Sequence, residues 1–303
     1  MEDSRRFLDP RVLNRVSRLD LRARLIVEGT VAGRHRSPYK GFSVEFAEHR
    51  EYAPGDDLRY LDWKVYGKSD RLYVKQYEEE TNLHAVLCVD ASESMRYEVP
   101  GREGLSKYDY AATVAASIAY LVVQQQDAAG LVLFDDAVRE VLPAGSQPVH
   151  LQRILSLLET FRGGPRTDLG AALGGVSEKI RRRGLLVLVS DLLDEPERVL
   201  SGLRRLRSRR QDVVVFHVLD RDEVEFPFDR MTRFEGMEEP AAEVLCDPRA
   251  LRAAYLEGLG EFRAALRAGC LAERIDYVPL DTSTPLDVAL SGYLARRSSA
   301  VGR

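Results

Sequence analysis

Two short runs of the chain are apolar at almost every position, LLVLVS at residues 185–190 and VVVFHVL at residues 213–219. Such runs are typical of strands that are buried on both faces, as in a parallel sheet covered by helices. A third apolar run spans residues 84–89. Helical patterns alternate with these runs, at residues 108–125, 148–161, 169–182 and 197–209. The alternation predicts an α/β fold in which a central, mostly parallel sheet carries helices on both faces.

Weaker patterns extend this sheet towards the end of the chain. Further strands are predicted at residues 130–134, 138–142 and 274–280, and further helices at residues 248–268 and 285–296. Residues 221–246 carry proline, phenylalanine and clustered acids. They are predicted to form an irregular segment with one edge strand.

The first eighty residues differ in character from the rest. Apolar residues at helical spacing follow Asp9 and Pro10, which predicts an arginine-rich helix over residues 9–28. Residues 34–80 mix aromatic side chains, charges and turn signals, which predicts short strands and ordered loops. A chain of 303 residues is long enough for about two domains. We therefore predict a basic helix with a β/loop extension over 1–80 and an α/β domain over 81–300.

Charge and cysteine content limit the classes of partner and compartment. The net charge of −4 gives no reason to expect nucleic acid as a partner. The basic residues among the first forty are interpreted as a solvated helix face, with an acidic partner, anionic lipid or nucleic acid as alternatives. A helix that crosses a bilayer needs about 20 apolar residues, and no apolar run here is that long. The three cysteines lack the spacing of metal ligands. The chain is expected to be cytoplasmic, without disulfides or a membrane span.

Side chains with oxygen donors follow the predicted central strands. Asp90, Ser92 and Ser94 follow the run at 84–89, and Asp191 follows the run at 185–190. Thr167 lies in a loop rich in glycine between them. Because ligands bind beyond the carboxyl ends of parallel strands, these five side chains are expected to converge. Carboxylate and hydroxyl oxygens suit a hard cation such as Mg²⁺, so they predict a metal site there.

Two other interpretations of these residues stay open. Serine, threonine and aspartate are ordinary helix caps, and Thr167 or Asp168 could cap the helix at Leu169. Phosphatases of the haloacid dehalogenase class also have an aspartate after a first strand, and Asp191 with Asp194 is similar to their late acidic pair. Those enzymes have a second acid where this chain has Ser92, and their lysine is not obvious here. The chain also lacks the glycine-rich loop of P-loop ATPases and the Gly-x-Ser-x-Gly elbow of many hydrolases.

The sequence DASESM at 90–95, together with Thr167 and Asp191, resembles the metal-ion-dependent adhesion site (MIDAS) of von Willebrand factor A domains. The segment HREYAPGDDLRYLDWKVYGKSDRLYVKQYEEE, from His49 to Glu80, is similar to the signature of the bacterial "domain of unknown function 58" family. That segment could form a salt-bridged platform packed on the domain, with Trp63 and Tyr73 as anchors, or it could be a partner-specific surface. Trp63 is interpreted as a structural anchor, while the roles of Arg59 and Asp62 are undecided. The resemblance implies a von Willebrand factor A-like (Rossmann-like) fold.

The resemblance also implies a function. Ser92, Ser94 and Thr167 would bind Mg²⁺ or Mn²⁺ directly, and Asp90 and Asp191 directly or through water. The chain would be a non-catalytic protein-interaction module, and an acidic side chain of a partner would complete the metal shell. Members of the family are often encoded beside MoxR-type AAA+ ATPases. This implies a partner or adaptor of such an ATPase in protein assembly or maturation.

Overall fold

The computed structural model describes residues 44–52, 63–69, 71–79, 83–98, 104–164, 166–238 and 242–301, together with Leu19, Ala23 and Ile26. The chain divides into two compact units, one of residues 37–83 and one of residues 1–36 with 84–303. The boundary predicted between residues 80 and 81 stays a prediction.

The described strands are β1 (Val44–Glu51), β2 (Tyr73–Glu79), β3 (His84–Asp90), β4 (Ala128–Phe134), β5 (Val138–Gly145), β6 (Leu185–Ser190), β7 (Asp212–Leu219), β8 (Thr232–Glu235), β9 (Glu243–Cys246) and β10 (Asp276–Asp281). Six of them form one sheet in the order β10-β7-β6-β3-β4-β5. Neighbours in this sheet are parallel except for β4 and β5, which are antiparallel. The two central strands, β3 and β6, are therefore hydrogen-bonded neighbours that end at the same edge.

The described α-helices are α1 (Trp63–Ser69), α2 (Lys107–Gln124), α3 (Pro148–Thr160), α4 (Leu169–Lys179), α5 (Pro196–Ser208), α6 (Arg221–Glu225), α7 (Pro248–Ala272) and α8 (Leu286–Val301). A 3₁₀ helix spans Glu93–Arg96. Most of the predicted helices and strands after residue 83 are present, with ends that differ by a few residues.

Both faces of the six-stranded sheet are covered. On one face, Leu186 and Leu188 of β6 pack in a core cluster with side chains of α4, α5 and α7. Alternate residues of a strand point to opposite faces, and Val187 and Val189 are buried as well. On that second face α2 packs against the sheet. The ring of Phe216 also packs against the ring of Tyr293 in α8, with 5.3 Å between the ring centroids. The predicted fold class, a mostly parallel sheet with helices on both faces, is confirmed.

The unit of residues 37–83 contains the antiparallel pair β1 and β2 and the short helix α1. The prediction that Trp63 is a structural anchor is wrong, because 65% of its surface is exposed and its ring contacts Tyr66 edge-on at 6.3 Å. Tyr73 is half-buried. Arg59 and Asp62 lie outside the described residues.

The segment after β7 differs from the prediction of one edge strand. It forms α6 and then the hairpin of β8 and β9, which pair with each other. The reason is aromatic packing, since the rings of Phe226 and Phe234 stack at 5.8 Å and Phe226 contacts Tyr255 of α7 at 4.5 Å. These contacts hold the hairpin against a helix, so it does not extend the sheet.

Three described residues fall in the helix predicted over 9–28. Leu19, Ala23 and Ile26 are helical and buried, and their spacing places them on one helical face. The Leu19 N–H donates to Glu159 Oε1 of α3 at 2.8 Å. The arginines assigned to a solvated face lie outside the described residues. In the part of the chain that the structure describes, every helix is too short or too polar to cross a membrane.

Candidate metal centre

Asp90 is the last residue of β3, and its side chain is fully buried. Its Oδ1 accepts a hydrogen bond from the backbone N–H of Ser92 at 3.0 Å, and its Oδ2 accepts one from the hydroxyl of Ser190 at 2.7 Å. Burial, and then the charge of Asp191, raise the pKa of Asp90 to about 7 against the lowering effect of these hydrogen bonds. A cation close to the Asp90 carboxyl group would stabilise its charged form.

Ser92 and Ser94 lie directly beyond Asp90, at the start of the 3₁₀ helix. Both are buried, and their Oγ atoms lie 3.1 Å apart. Ser92 is the residue before the helix, yet its side chain makes no capping hydrogen bond. Capping therefore does not explain the Ser92 hydroxyl.

Asp191 follows β6, next to the strand that ends in Asp90. Its Oδ2 accepts a hydrogen bond from Lys107 Nζ at 2.9 Å, and its Oδ1 accepts one from the Leu193 N–H at 3.2 Å. Burial alone would raise the pKa of Asp191, but the Lys107 ammonium and a hydrogen bond from Ser94 hold it below its usual value. Asp191 is therefore a charged group, already oriented by its neighbours.

Lys107 is the first residue of α2, and only 2% of its side chain is exposed. Its ammonium also contacts Glu223 Oε1 of α6 at 2.8 Å. Burial would lower the pKa of Lys107, but the charges of Asp191 and Glu223 raise it above its usual value. The Lys107 ammonium thus binds two carboxyl groups, those of Asp191 and Glu223. Asp90 adds a third carboxyl group that interacts with Asp191, which leaves the rim attractive to a further cation.

Thr167 lies in the loop that leads into α4, and both ends of this loop are held against the strand ends. The Gly164 N–H donates to Asp135 Oδ2, just after β4, at 2.7 Å, and the Leu169 N–H donates to Asp194 Oδ2, after β6, at 3.1 Å. The Thr167 hydroxyl donates to Glu238 Oε1 at 2.6 Å. The structure thus links four of the five predicted side chains to one another and places Thr167 in the adjacent loop, bonded to Glu238.

The structure decides between the two capping candidates at α4. The side chain of Asp168 accepts a hydrogen bond from the Ala171 N–H at 2.9 Å, which is the N-cap interaction. Asp168 is therefore the cap, and the side chain of Thr167 is not needed for it. Asp194, which resembled part of a phosphatase acidic pair, accepts the Leu169 N–H and pairs with Arg198 at 3.2 Å.

Gly163 fixes how closely the Thr167 loop approaches β3. A Cβ atom at this position would lie 1.8 Å from the carbonyl oxygen of Ala91. No side chain fits there without moving the backbone, so the glycine permits a contact that a larger residue forbids. The loop and the segment of Asp90 to Ser94 are consequently in direct contact.

We expect Gly163→Ala to lower the free energy of unfolding by about 1–3 kcal/mol, the usual range for overpacking in a buried contact. Gly104→Ala is the matched control, because a Cβ atom at Gly104 meets nothing within 4 Å. The control should change the free energy by less than about 0.5 kcal/mol. Urea denaturation of both variants measures the difference, and equal stabilities would contradict this role for Gly163.

The side chains brought together here fit a hard divalent cation. Asp90, Ser92, Ser94 and Asp191 offer only oxygen donors, which Mg²⁺ and Mn²⁺ prefer. Neighbouring ligands of an octahedral Mg²⁺ ion lie about 2.9 Å apart, close to the 3.1 Å between the two serine hydroxyls. Among the described residues, no group of three or more His, Cys, Asp or Glu side chains is placed to hold a metal ion. The candidate centre is of a different kind, because two of its four side chains, Ser92 and Ser94, donate hydroxyl oxygens.

Several residues of this site were not found from the sequence. Lys107 lies far along the chain from Asp191 and from Glu223, and it contacts both only through the packing of α2 and α6. Ser190 was assigned to the strand, although its hydroxyl binds Asp90. A weak signal existed for Lys107, since a lysine at the first position of a helix is unfavourable unless an acid compensates it.

The family model "Protein of unknown function DUF58" matches residues 48–264. Uncharacterized proteins of Mycobacterium tuberculosis and Mycobacterium bovis are 30% identical over 224 residues, which cover 72% of this chain and 68% of each relative. Similar solved structures include an aerotolerance-related membrane protein from Bacteroides fragilis, with a TM-score of 0.46 and 15% identity over 72% of this chain and 99% of that one. The SpRpn10 VWA domain has a TM-score of 0.41 and 11% identity over 69% of this chain and 94% of that domain. From the family model and the mycobacterial relatives, this chain is a member of the DUF58 family.

Proposed function

We propose that this protein is a non-catalytic, metal-dependent protein-interaction module. The observation that carries the proposal is the buried group of two carboxylates and two hydroxyls at the ends of β3 and β6, with the serine oxygens 3.1 Å apart. Asp90, Ser92, Ser94 and Asp191 would hold Mg²⁺ or Mn²⁺, with Thr167 as a further ligand. When bound, the ion supplies a positive centre that a carboxylate oxygen of a partner can bind.

The surrounding residues support binding over turnover. Lys107 and the Leu193 N–H hold Asp191 in one orientation, and Ser190 and the Ser92 N–H do the same for Asp90. Groups that orient metal ligands in this way raise the affinity of a site for its ion. Ser92 lies where a phosphatase of the haloacid dehalogenase class has its second acid, and a serine hydroxyl is a much poorer proton donor to a leaving group than a carboxylic acid is.

The partner belongs to the same proposal. Membership of the DUF58 family and the adhesion-site resemblance support a partner with an exposed acidic side chain. The resemblance supports a MoxR-type AAA+ ATPase as the partner or as the machine that this protein serves. A cytoplasmic location is part of the proposal. It is supported by the three cysteines, whose number and spacing do not suggest a set of disulfides.

Capture experiments test the proposal. The immobilised chain is incubated with a cell extract in Mg²⁺ or in EDTA, and retained proteins are identified by mass spectrometry. We expect the wild type to retain a MoxR-type ATPase or another acidic partner only in Mg²⁺. The Ser92→Ala/Ser94→Ala variant should lose this protein, because it lacks both hydroxyl ligands, while a Ser208→Ala variant, exposed at the end of α5, should retain it.

Two outcomes would contradict the proposal. Recovery of the same partner by the double serine variant would mean that the metal is not the recognition element. Release of phosphate from a phosphomonoester, at a rate above that of an Asp90→Ala control, would favour the hydrolase instead. The structure makes the second measurement worthwhile, because Lys107 provides a lysine beside Asp191 that was not obvious in the sequence.

A further inference from the structure

Glu238 makes an unusual pair of hydrogen bonds with Thr167. Its Oε1 accepts the Thr167 hydroxyl at 2.6 Å, and its Oε2 accepts the Thr167 backbone N–H at 3.0 Å. Both carboxylate oxygens thus bind one residue, 71 positions away in the chain. Hydrogen bonds to a charged carboxylate are shorter and stronger than those between neutral groups.

Glu238 lies in the connection between β8 and β9. The hairpin is closed by a hydrogen bond from the Gly236 N–H to the Ala242 carbonyl at 2.7 Å, and the ring of Phe234 in β8 stacks on Phe226. The hairpin is therefore held at its base, while Glu238 extends from it to the loop before α4. This placement presents one acidic side chain to the rim of the six-stranded sheet.

Ion pairing does not account for this contact. No lysine, arginine or histidine in the described part of the chain forms an ion pair with Glu238. Among the described residues, its carboxylate is stabilised by the two hydrogen-bond donors of Thr167. Thr167 is the predicted ligand whose hydroxyl is bonded to Glu238. A carboxylate is also the chemical group that the proposed partner would bring to this rim.

We propose that Glu238 occupies the carboxylate-binding position of the site and that a partner's acidic side chain must displace it. The inference rests on the proposed function. In the closed state the Thr167 hydroxyl is engaged by Glu238. In the open state the β8–β9 hairpin moves away, and Thr167 becomes available to the ion and to the incoming carboxylate.

The expected size of the effect follows from the population of the closed state. If Glu238 binds Thr167 in about nine-tenths of the molecules, the apparent affinity for an external carboxylate is lowered about tenfold. Removing the Glu238 charge should therefore raise the apparent affinity for an external carboxylate about tenfold. A glutamate elsewhere on the hairpin should have no such effect, and Glu235, exposed in β8, provides this control.

Calorimetric titrations test the proposal with Mn²⁺ alone and with glutarate as the carboxylate probe. We expect Glu238→Gln to bind Mn²⁺ at least as tightly as the wild type. In saturating Mn²⁺, it should bind glutarate about tenfold more tightly, while Glu235→Gln matches the wild type. Amide hydrogen exchange in β8 and β9 should become faster when glutarate is added to the Mn²⁺-loaded wild type.

The possible outcomes separate this inference from the proposed function. Normal Mn²⁺ binding with equal glutarate affinities in all three proteins would overturn the role of Glu238 and leave the metal site standing. Weaker Mn²⁺ binding by Glu238→Gln would make Glu238 a permanent ligand, which also overturns displacement. No Mn²⁺ binding by any of the three proteins would overturn both proposals. A Glu238→Ala variant repeats the test, so that a local defect of the glutamine side chain cannot mimic any of these results.

Discussion

Replacing Lys107 with methionine is expected to lower the free energy of unfolding by about 3–5 kcal/mol, the usual result of breaking a buried ion pair on one side. Lys107 Nζ lies 2.9 Å from Asp191 and 2.8 Å from Glu223, and its side chain is 2% exposed. Methionine preserves most of the apolar stem and removes the charge. Asp191 would then be a buried carboxylate without its cation.

The same variant connects stability with metal binding. A divalent ion beside Asp191 would replace part of the missing charge, so Mg²⁺ should stabilise Lys107→Met more than it stabilises the wild type. Urea denaturation with Mg²⁺ and with EDTA measures both effects. Lys179→Met, at the exposed end of α4, is the matched control and should change the free energy by less than about 0.5 kcal/mol. A loss below about 1 kcal/mol for Lys107→Met would show that the ion pair does not support the fold.

Asp90→Asn is expected to stabilise the metal-free protein at pH 8 and to abolish stabilisation by Mg²⁺. Burial and the charge of Asp191 raise the pKa of Asp90 to about 7 in the folded protein, whereas the unfolded chain titrates near 3.8. Between these values the folded state holds a proton that the unfolded state has lost, so metal-free stability falls as the pH rises from about 4 to about 7. A shift of this size corresponds to about 4 kcal/mol.

Asparagine removes the charge and with it this pH dependence. At pH 8 in EDTA, we expect Asp90→Asn to be more stable than the wild type by about 1–3 kcal/mol, since one charge-assisted hydrogen bond is also lost. In Mg²⁺ at about 100 times its Kd, the wild type should gain about 2.7 kcal/mol, and the variant should gain nothing. Asp191 has a lowered pKa, so its contribution is lost only below about pH 4 and does not affect this window.

Denaturation curves at pH 5, 6, 7 and 8, with EDTA and with Mg²⁺, provide the measurement. Asp229→Asn is the control, because Asp229 is exposed in the segment before β8 and its loss should leave both dependences unchanged. Parallel pH profiles for wild type and Asp90→Asn would contradict the raised pKa of Asp90. Equal gains in Mg²⁺ would contradict its role as a ligand.

The sequence was informative where local patterns determine the structure. The apolar runs at 185–190 and 213–219 predicted β6 and β7 within one residue at each end, because strands buried on both faces leave little choice of side chain. The rule that ligands bind beyond strand ends then brought Asp90, Ser92, Ser94 and Asp191 together.

The remaining features depend on contacts between distant segments. Glu223 and Glu238 come from α6 and the β8–β9 hairpin, whose positions are set by aromatic packing that no short pattern reveals. Trp63 was interpreted as a structural anchor from its residue type, yet it is exposed on α1. The residue types at the strand ends indicated a site for a hard cation. Only the packing of the helices showed that Lys107 balances the charge of Asp191.

Lys107 also affects whether the chain can fold before a metal ion binds. In small zinc domains the unliganded chain is unfolded, because the ion supplies most of the folding free energy. Here a covalently attached ammonium already balances Asp191. We therefore expect newly synthesised chains to reach the folded state before any ion arrives. The supply of the ion would then determine when the proposed metal site is filled, while the metal-free chains stay folded and resist proteolysis.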